Sequence, residues 1–214
     1  MIILSSKCIP NNYLIKISTN FENFTFVGKT ISDFVSKEPI KTVILNAADL
    51  EINSCKLQFN NKEFDLSYKF DYENEEVQFE LPEEISGSFT LTIDYEGKIQ
   101  ENLKGLYQTH YKVGKDIKVG GFTQFETEDA RRMFPCLDEP GIKATYELEV
   151  TTDNNLTVIS NMPIVSQSKS DSKQLVKFDK TPKMSSYLLF LGIADFESIK
   201  DNLRDIEFRV FKHP

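Results

Sequence analysis

The sequence predicts an all-β fold: an antiparallel, multi-stranded sandwich or saddle-like domain with one short helical turn near residues 128–134. Three observations support it. Short segments alternate apolar and polar residues and recur about every ten residues, which is typical of antiparallel sheets. No stretch with a helical period separates them. Turn-forming residues, such as those at 60–62 and Asn74, lie between the segments.

The first hundred residues supply most of the predicted strands. In residues 10–19 alternation places Tyr13, Ile15 and Ile17 on one face. The clearest alternation is SFTLTIDYEG at residues 88–97. The other strands predicted in this half span residues 24–28, 41–47, 50–52, 54–59, 64–72 and 75–81.

The second half continues in the same way. Strands are predicted at residues 144–151, 156–160, 174–179 and 205–211. The polar stretch SQSKSDSK at residues 166–173 is interpreted as the tip of a hairpin rather than a linker. The continuous apolar run within residues 181–189 predicts a strand covered on both faces.

Length and composition limit the function classes. With 214 residues, the chain can form one large all-β domain or two small ones. Hydrophobic residues make up 40% and charged residues 27%, as in globular proteins. The formal net charge of −8 makes nucleic acid an unsuitable partner.

Cysteine usage and hydropathy predict a cytoplasmic protein. The three cysteines, Cys8, Cys55 and Cys136, are odd in number and widely spaced, which fits neither a disulfide framework nor a zinc ribbon. The N-terminal segment MIILSSKC is too short for a signal peptide, and no apolar run is long enough to span a membrane.

Residues 121–140, GFTQFETEDARRMFPCLDEP, do not alternate and concentrate charges of both signs beside aromatic residues. A strand over residues 122–126 would place Gln124 and Glu126 on one face. Thr127 would cap the helical turn that follows, and Pro135 would end it. The segment therefore predicts a partly buried polar site at a strand end, with Phe125 and Met133 either in the core or on an interaction surface.

This segment resembles the signature of the N-terminal domain of zinc aminopeptidases of the aminopeptidase N and puromycin-sensitive type. The matching strings are T-Q-x-E at residues 123–126, D-A-R-R at 129–132 and F-P-C-x-D-E-P at 134–140. The strings VISNMP and TPKMSSYL resemble the family as well, and so does GLYQTHY, with Thr109 in place of the family's serine. Asn46 stands where the family often has histidine. The resemblance implies that Glu126 binds the free amino group of a peptide substrate and that Gln124 lines the first side-chain pocket.

The chemistry of Glu126 supports this role independently. An exopeptidase must distinguish a chain end from a chain middle, and a fixed carboxylate is the natural partner of the terminal ammonium. Such charge-assisted hydrogen bonds are worth about 1.5–3 kcal/mol each. The structural alternative is that Glu126 only pairs with Arg131 or Arg132.

The metal chemistry of the family lies elsewhere. Such an enzyme needs H-E-x-x-H on a helix, with two histidines that bind zinc and a glutamate as general base. The chain contains only His110 and His213, far apart, and it lacks the family's G-x-M-E-N strand. The resemblance thus implies an N-terminal domain spanning residues 1–214, without catalytic residues, metal ligands or a cofactor, whose thermolysin-like zinc domain is a separate part of the same polypeptide.

Three expectations follow. Glu126→Ala should impair the intact enzyme without removing its zinc, and this chain alone should not hydrolyse an aminoacyl reporter. The natural partners of this chain would be the amino terminus of a peptide substrate and the catalytic domain. The alternatives are a β-sandwich binding module for carbohydrate or protein, and a scaffold domain in which residues 121–140 are only a salt-bridged corner.

Overall fold

The computed structural model describes residues 7–212 and 214. Residues 1–6 and His213 lie outside the described residues. Residues 1–6 make up most of the N-terminal segment that was predicted to be too short for a signal peptide. The described chain is all-β, as predicted. Its strands are β1 (Cys8–Asn20), β2 (Thr25–Asn46), β3 (Leu50–Phe59), β4 (Lys62–Asp65), β5 (Tyr68–Asp71), β6 (Glu76–Lys98), β7 (Gly105–Val113), β8 (Asp116–Gln124), β9 (Lys143–Asp153), β10 (Thr157–Ser160), β11 (Ile164–Lys169), β12 (Lys173–Phe178), β13 (Met184–Ser185), β14 (Leu191–Ala194), β15 (Glu197–Leu203) and β16 (Ile206–Lys212).

The strands form three separate sheets. A ten-stranded sheet has the order β11-β12-β9-β1-β2-β6-β3-β4, with β13 paired to β9 and β5 paired to β6. A four-stranded sheet has the order β10-β14-β8-β7, and β15 and β16 form a two-stranded sheet. The pairing is antiparallel throughout these ladders except between β1 and β9, which are parallel.

The two larger sheets contribute to one hydrophobic core. Ile15 and Leu91 of the ten-stranded sheet and Leu106 and Ile193 of the four-stranded sheet belong to the same buried cluster. Phe125 and Met133, for which the sequence left core and surface open, are both buried in that cluster. The site segment is therefore fixed to the core by its apolar residues.

Several predicted strands are parts of longer ones. The predicted strands 24–28 and 41–47 are the two ends of β2, and 75–81 and 88–97 are the two ends of β6. β2 and β6 pair along nearly their whole lengths, with register shifts between Ser36 and Thr42. A bulge shifts the register without ending the pairing, which is why the polar residues there resemble a loop in the sequence.

The prediction of one strand over residues 181–189 is wrong. A two-residue strand, β13, is followed by a 3₁₀ helix (Ser186–Leu188) and then by β14. The buried hydroxyl of Ser186 binds a carboxylate of the site, described below, so the chain turns here for a polar contact that an apolar run does not reveal.

The three cysteines are buried and free. Among the described residues, no helix has the length and apolarity that crossing a membrane requires.

Candidate functional site

Gln124 and Glu126 lie where β8 ends and both are exposed. Thr123, which precedes Gln124, and Phe125, which lies between Gln124 and Glu126, are both buried. The predicted alternation of buried and exposed side chains therefore continues to Glu126. The strand itself ends at Gln124, two residues earlier than predicted, and Gln124 pairs with Gly105 of β7. The peptide bond between Glu126 and Thr127 is cis.

A 3₁₀ helix (Ala130–Arg132) lies within the predicted helical turn. Asp129, and not Thr127, is the residue before the helix, and it makes no side-chain capping bond. The carboxylates of Glu128 and Asp129 bind arginines. Glu128 pairs with Arg131, and Asp129 pairs with Arg132.

Arg131 is held in a buried ion pair. Its Nε lies 3.2 Å from Oδ2 of Asp138, whose side chain is fully buried, and its Nη2 donates to the Asp138 carbonyl at 3.3 Å. Its Nη1 lies 3.4 Å from Oε2 of Glu75, and its Nη2 lies 3.5 Å from Oε2 of Glu128. The guanidinium is thus saturated by groups other than Glu126.

Arg132 is equally engaged. Its Nε donates to Oδ1 of Asp129 at 2.8 Å, its Nη2 lies 2.6 Å from Oε1 of Glu75, and its Nη1 donates to Asp49. Burial acts to lower the pKa of the Arg132 guanidinium, but the hydrogen bond with Asp129 and the charges of Glu75 and Asp49 outweigh it and raise that pKa. We call the two arginines and their partners the arginine cluster: Arg131, Arg132, Asp49, Glu75, Glu128, Asp129 and Asp138.

Asp138 connects the arginine cluster to the rest of the fold. It accepts a hydrogen bond from the Ser186 hydroxyl at 2.6 Å and from the Arg131 main-chain amide at 3.1 Å. Burial raises the pKa of the Asp138 carboxyl, although the bonds from Ser186 and Arg131 act in the opposite direction. Its own amide donates to Oδ1 of Asn46 at 3.0 Å.

Asn46, the departure from the family pattern, has a structural role. It is buried, and its main-chain amide and carbonyl exchange hydrogen bonds with Cys136 at 2.7 and 3.1 Å. Together with the bond to the Asp138 amide, these contacts fasten residues 136–138 to the end of β2.

Glu75 and Asp49 were not anticipated from the sequence. Glu75 lies 56 residues from Arg131 and reaches both arginines from the turn before β6. Asp49 reaches Arg132 from the turn between β2 and β3. The charge-rich segment already contains enough carboxylates for its own arginines, so no local signal points to partners so distant.

Glu126 itself makes no side-chain hydrogen bond or ion pair within the described part of the chain. The alternative in which it pairs with Arg131 or Arg132 is therefore not what the structure has. Two guanidinium charges face five carboxylates in the arginine cluster, which leaves a formal surplus of three negative charges before Glu126 is counted. An exposed, unpaired carboxylate beside such a surplus suits a cationic ligand.

A metal ion in a protein is usually held by several histidine, cysteine or carboxylate side chains. In residues 7–212 and 214, no group of three or more histidine, cysteine, aspartate or glutamate side chains is arranged to hold one. His110 is exposed, and its Nε2 lies 3.1 Å from Oε1 of Gln108.

Comparison with known proteins gives a consistent family. The family model for the peptidase M1 N-terminal domain matches residues 9–188. The leucyl aminopeptidase of Saccharolobus solfataricus is 39% identical over 194 residues, covering 89% of this chain and 22% of that protein. Aminopeptidase 2, mitochondrial, of Saccharomyces cerevisiae is 32% identical over 99% of this chain and 23% of its own length. The aminopeptidase N of Acetobacter pasteurianus is 35% identical over 92% of this chain and 56% of its own length. The chain thus spans less than a quarter of the length of the first two relatives.

Proposed function

The chain belongs to the peptidase M1 N-terminal domain family, and we propose that it is the non-catalytic N-terminal domain of a zinc-dependent aminopeptidase. In that role Glu126 anchors the ammonium of a peptide's first residue, and Gln124 forms part of the wall around that residue's side chain. The observation that carries the proposal is the exposed Glu126 carboxylate, which has no partner among the described residues.

The arginine cluster explains how Glu126 stays available. A carboxylate within reach of a free arginine would form an ion pair with it. Here Asp138, Glu75 and Asp129 engage the two guanidinium groups at 2.6–3.4 Å, which removes that competition. Phe125 and Ala130 are buried on either side of the turn, so the main chain that bears Glu126 is attached to the core at both ends.

The position of the anchor follows from β8. Gln124 is the last residue of the strand and Glu126 follows two residues later, so the two side chains emerge at one end of the four-stranded sheet. Only the first residue of a peptide carries an α-ammonium that Glu126 could bind, since every later main-chain nitrogen is part of an uncharged amide. The anchor therefore selects a chain end over a chain middle.

The remaining parts of the proposal concern the larger enzyme. The described residues contain no fitting metal cluster, so the zinc chemistry would belong to a catalytic domain of the same polypeptide. That domain and a peptide amino terminus are the proposed partners, with neither nucleic acid nor membrane involved. Three buried, unpaired cysteines are in keeping with a cytoplasmic location.

The test is a substitution in the full-length aminopeptidase that carries this domain. Loss of one or more charge-assisted hydrogen bonds, worth about 1.5–3 kcal/mol each, should reduce kcat/KM of Glu126→Ala by at least about 10- to 150-fold on an aminoacyl reporter. Zinc content should stay unchanged. Glu84→Gln, at an exposed carboxylate on β6 away from the site, is the matched control and should behave as wild type.

A binding experiment on the 214-residue chain complements the kinetics. Amide chemical shifts around Glu126 should respond to alanine tripeptide and should not respond to the N-acetylated tripeptide, which lacks the ammonium. If Glu126→Ala retains wild-type kcat/KM, the anchor role is wrong and the scaffold alternative stands.

A further inference from the structure

The ten-stranded sheet carries a cleft of about 310 Å³ on the face that points away from the core. Asp33 and Gln58 line the cleft and are exposed, whereas their chain neighbours Phe34 and Leu57 are buried. Because side chains alternate between the two faces of a strand, the exposed residues of the cleft and the core lie on opposite sides of the sheet. The described lining residues include no member of the arginine cluster and no residue of β8. The cleft is therefore separate from the proposed anchor.

The strand order gives the cleft a floor and two walls. β2 and β6 lie in its middle and supply the floor, where Asp33 of β2 stands opposite Thr90 of β6. β1 and β3 flank them and supply the walls, through Asn11 on one side and Gln58 on the other. Gln58 also stands opposite Thr90 in the register, so Gln58, Thr90 and Asp33 form one row across three strands. The paired main chains thus fix the spacing of these side chains.

Irregular main chain adds polar groups to both walls. Asn11 lies in the register shift between Pro10 and Asn12, and such a bulge changes the direction of a side chain. Asn60 and Asn61 form the two-residue turn between β3 and β4, and both have a left-handed main chain, with φ of 50° and 60°. A two-residue turn with this conformation at both positions matches the twist of a hairpin. The hairpin therefore sets the positions of both asparagines before any ligand arrives.

The lining is rich in side-chain amides that have no protein partner. Each carboxamide offers two N–H donors and one oxygen acceptor. Within the described part of the chain, no side-chain hydrogen bond engages these amides. Asp33 accepts from the Thr90 hydroxyl at 2.8 Å through Oδ1, which leaves Oδ2 for a ligand. We use the name amide cleft for Asn11, Asp33, Gln58, Asn60, Asn61 and Thr90, beside which the half-buried Phe59 adds apolar surface.

The composition of the amide cleft selects among ligand classes. Its described lining has no lysine, arginine or histidine, so a phosphate or carboxylate ligand would meet no cation. Asp33 is its single carboxylate, whereas Ca²⁺ takes about six to eight oxygen ligands. Sugar hydroxyls both donate and accept hydrogen bonds, as the amides do, and the C–H groups of a sugar can pack on Phe59. We propose that the amide cleft binds a neutral saccharide. This binding is additional to the aminopeptidase role and does not rest on it.

Titration of the 214-residue chain with neutral trisaccharides, followed by NMR, tests the proposal. The probes are maltotriose, cellotriose, mannotriose and triacetylchitotriose, each as the free sugar and as its methyl glycoside, which mimics a glycan attached to a carrier. At concentrations up to about 20 mM, well above a millimolar Kd, at least one probe should shift the side-chain amide resonances of Asn11, Gln58, Asn60 and Asn61. Resonances around Glu126 should not respond.

Three substitutions locate the binding. Asn61→Gly removes a carboxamide but suits the left-handed turn, and it should weaken binding about two- to tenfold. Asp33→Asn removes the charge while it keeps the shape, and it should weaken binding by at least about tenfold. Asn202→Ala, at an exposed amide on β15, is the matched control and should bind as wild type does. Unchanged resonances of β9 in all three variants would show that the fold is retained.

The contrary results are distinct. The proposal is overturned by the absence of a response to every probe, or by equal affinity of wild type, Asn61→Gly and Asp33→Asn. A response of the amide cleft to N-acetylated alanine tripeptide but to no saccharide would identify a peptide-binding surface and overturn it too. A response to the free sugars alone supports a free saccharide as the ligand, and a response to the glycosides as well supports an attached glycan. The readout does not depend on hydrolysis, so failure of the Glu126 anchor leaves this proposal standing.

Discussion

Removal of the Arg131 guanidinium should be among the most damaging single changes in this domain. Arg131→Met keeps much of the aliphatic volume but leaves the Asp138 carboxylate without its cation. Asp138 is fully buried, and Arg131 reaches it through Nε, Nη2 and its main-chain amide. The substitution retains only the amide among these bonds.

The size of the effect follows from the burial. Breaking a buried ion pair by removing one partner costs about 3–5 kcal/mol, because the remaining charge is uncompensated. For a domain of this size, 1 kcal/mol corresponds to a Tm change of about 2–4 °C, so Tm should fall by roughly 6–20 °C at pH 7. Lys177→Met, which removes a half-exposed cation 2.9 Å from Glu149, should cost no more than about 1 kcal/mol.

The loss should depend on pH in a defined direction. Burial raises the pKa of Asp138 above its ordinary value of 3.8, and Arg131 opposes that rise. In the variant the pKa of Asp138 in the folded state therefore rises further. A carboxyl with a raised folded-state pKa favours the folded state when protonated, and that contribution disappears as pH rises from 3.8 through the folded-state value. The deficit of Arg131→Met should thus be largest at pH 7 and smaller near pH 4.

These differences can be measured by thermal unfolding, followed by circular dichroism at pH 7 and pH 4. The proteins compared are wild type, Arg131→Met and Lys177→Met. A deficit below about 1 kcal/mol at pH 7 would refute the assignment of a buried, charge-compensated pair. A deficit of the same size at both pH values would show that the uncompensated charge of Asp138 is not the cause of the lost stability.

Other positions give independent tests. Asn46→Ala leaves a buried main-chain amide without its acceptor and should lower the free energy of unfolding by about 1–3 kcal/mol in urea titrations; an unchanged midpoint would contradict the bond. Gly28→Ala would place a Cβ 2.3 Å from the ring of the buried Tyr95 and should destabilise by at least about 1–3 kcal/mol, whereas Gly141→Ala, with nothing within 4 Å, should be near neutral. All three cysteines are buried, and burial raises the pKa of Cys55 to about 12, so none should react with a thiol reagent in the native protein at pH 8 and all should react in denaturant.

Strands are predicted well from the sequence where apolar and polar residues alternate, and poorly where a bulge shifts the register within a strand. The two ends of β2 were predicted separately because the buried positions between them include the polar residues Thr30, Ser32 and Ser36, and because Pro39 interrupts the pattern. The pairing nevertheless continues past that point, because β6 also shifts its register there and stays paired with β2. Such matched irregularity between strands far apart in sequence is not visible in either strand alone.

The same distinction holds for the site. The outward direction of Gln124 and Glu126 follows from period-two alternation, which is a local property, and the structure keeps it. The supporting contacts of Asn46, Glu75 and Ser186 depend on tertiary contacts across 48–92 residues and have no local signature. The sequence therefore located the exposed carboxylate but not the groups that keep the arginines away from it.

The central place of β1 in the large sheet bears on how the chain folds during synthesis. β1 pairs with β2 on one side and with β9, more than a hundred residues later, on the other. A growing chain can assemble β1, β2, β3 and β6 from its first hundred residues, but one edge of β1 stays open until β9 leaves the ribosome. Asp138 gains its Ser186 hydroxyl later still. The amino-terminal strands can thus pair before Asp138 of the arginine cluster has its Ser186 partner, and a stalled chain would expose an unpaired strand edge while lacking that contact.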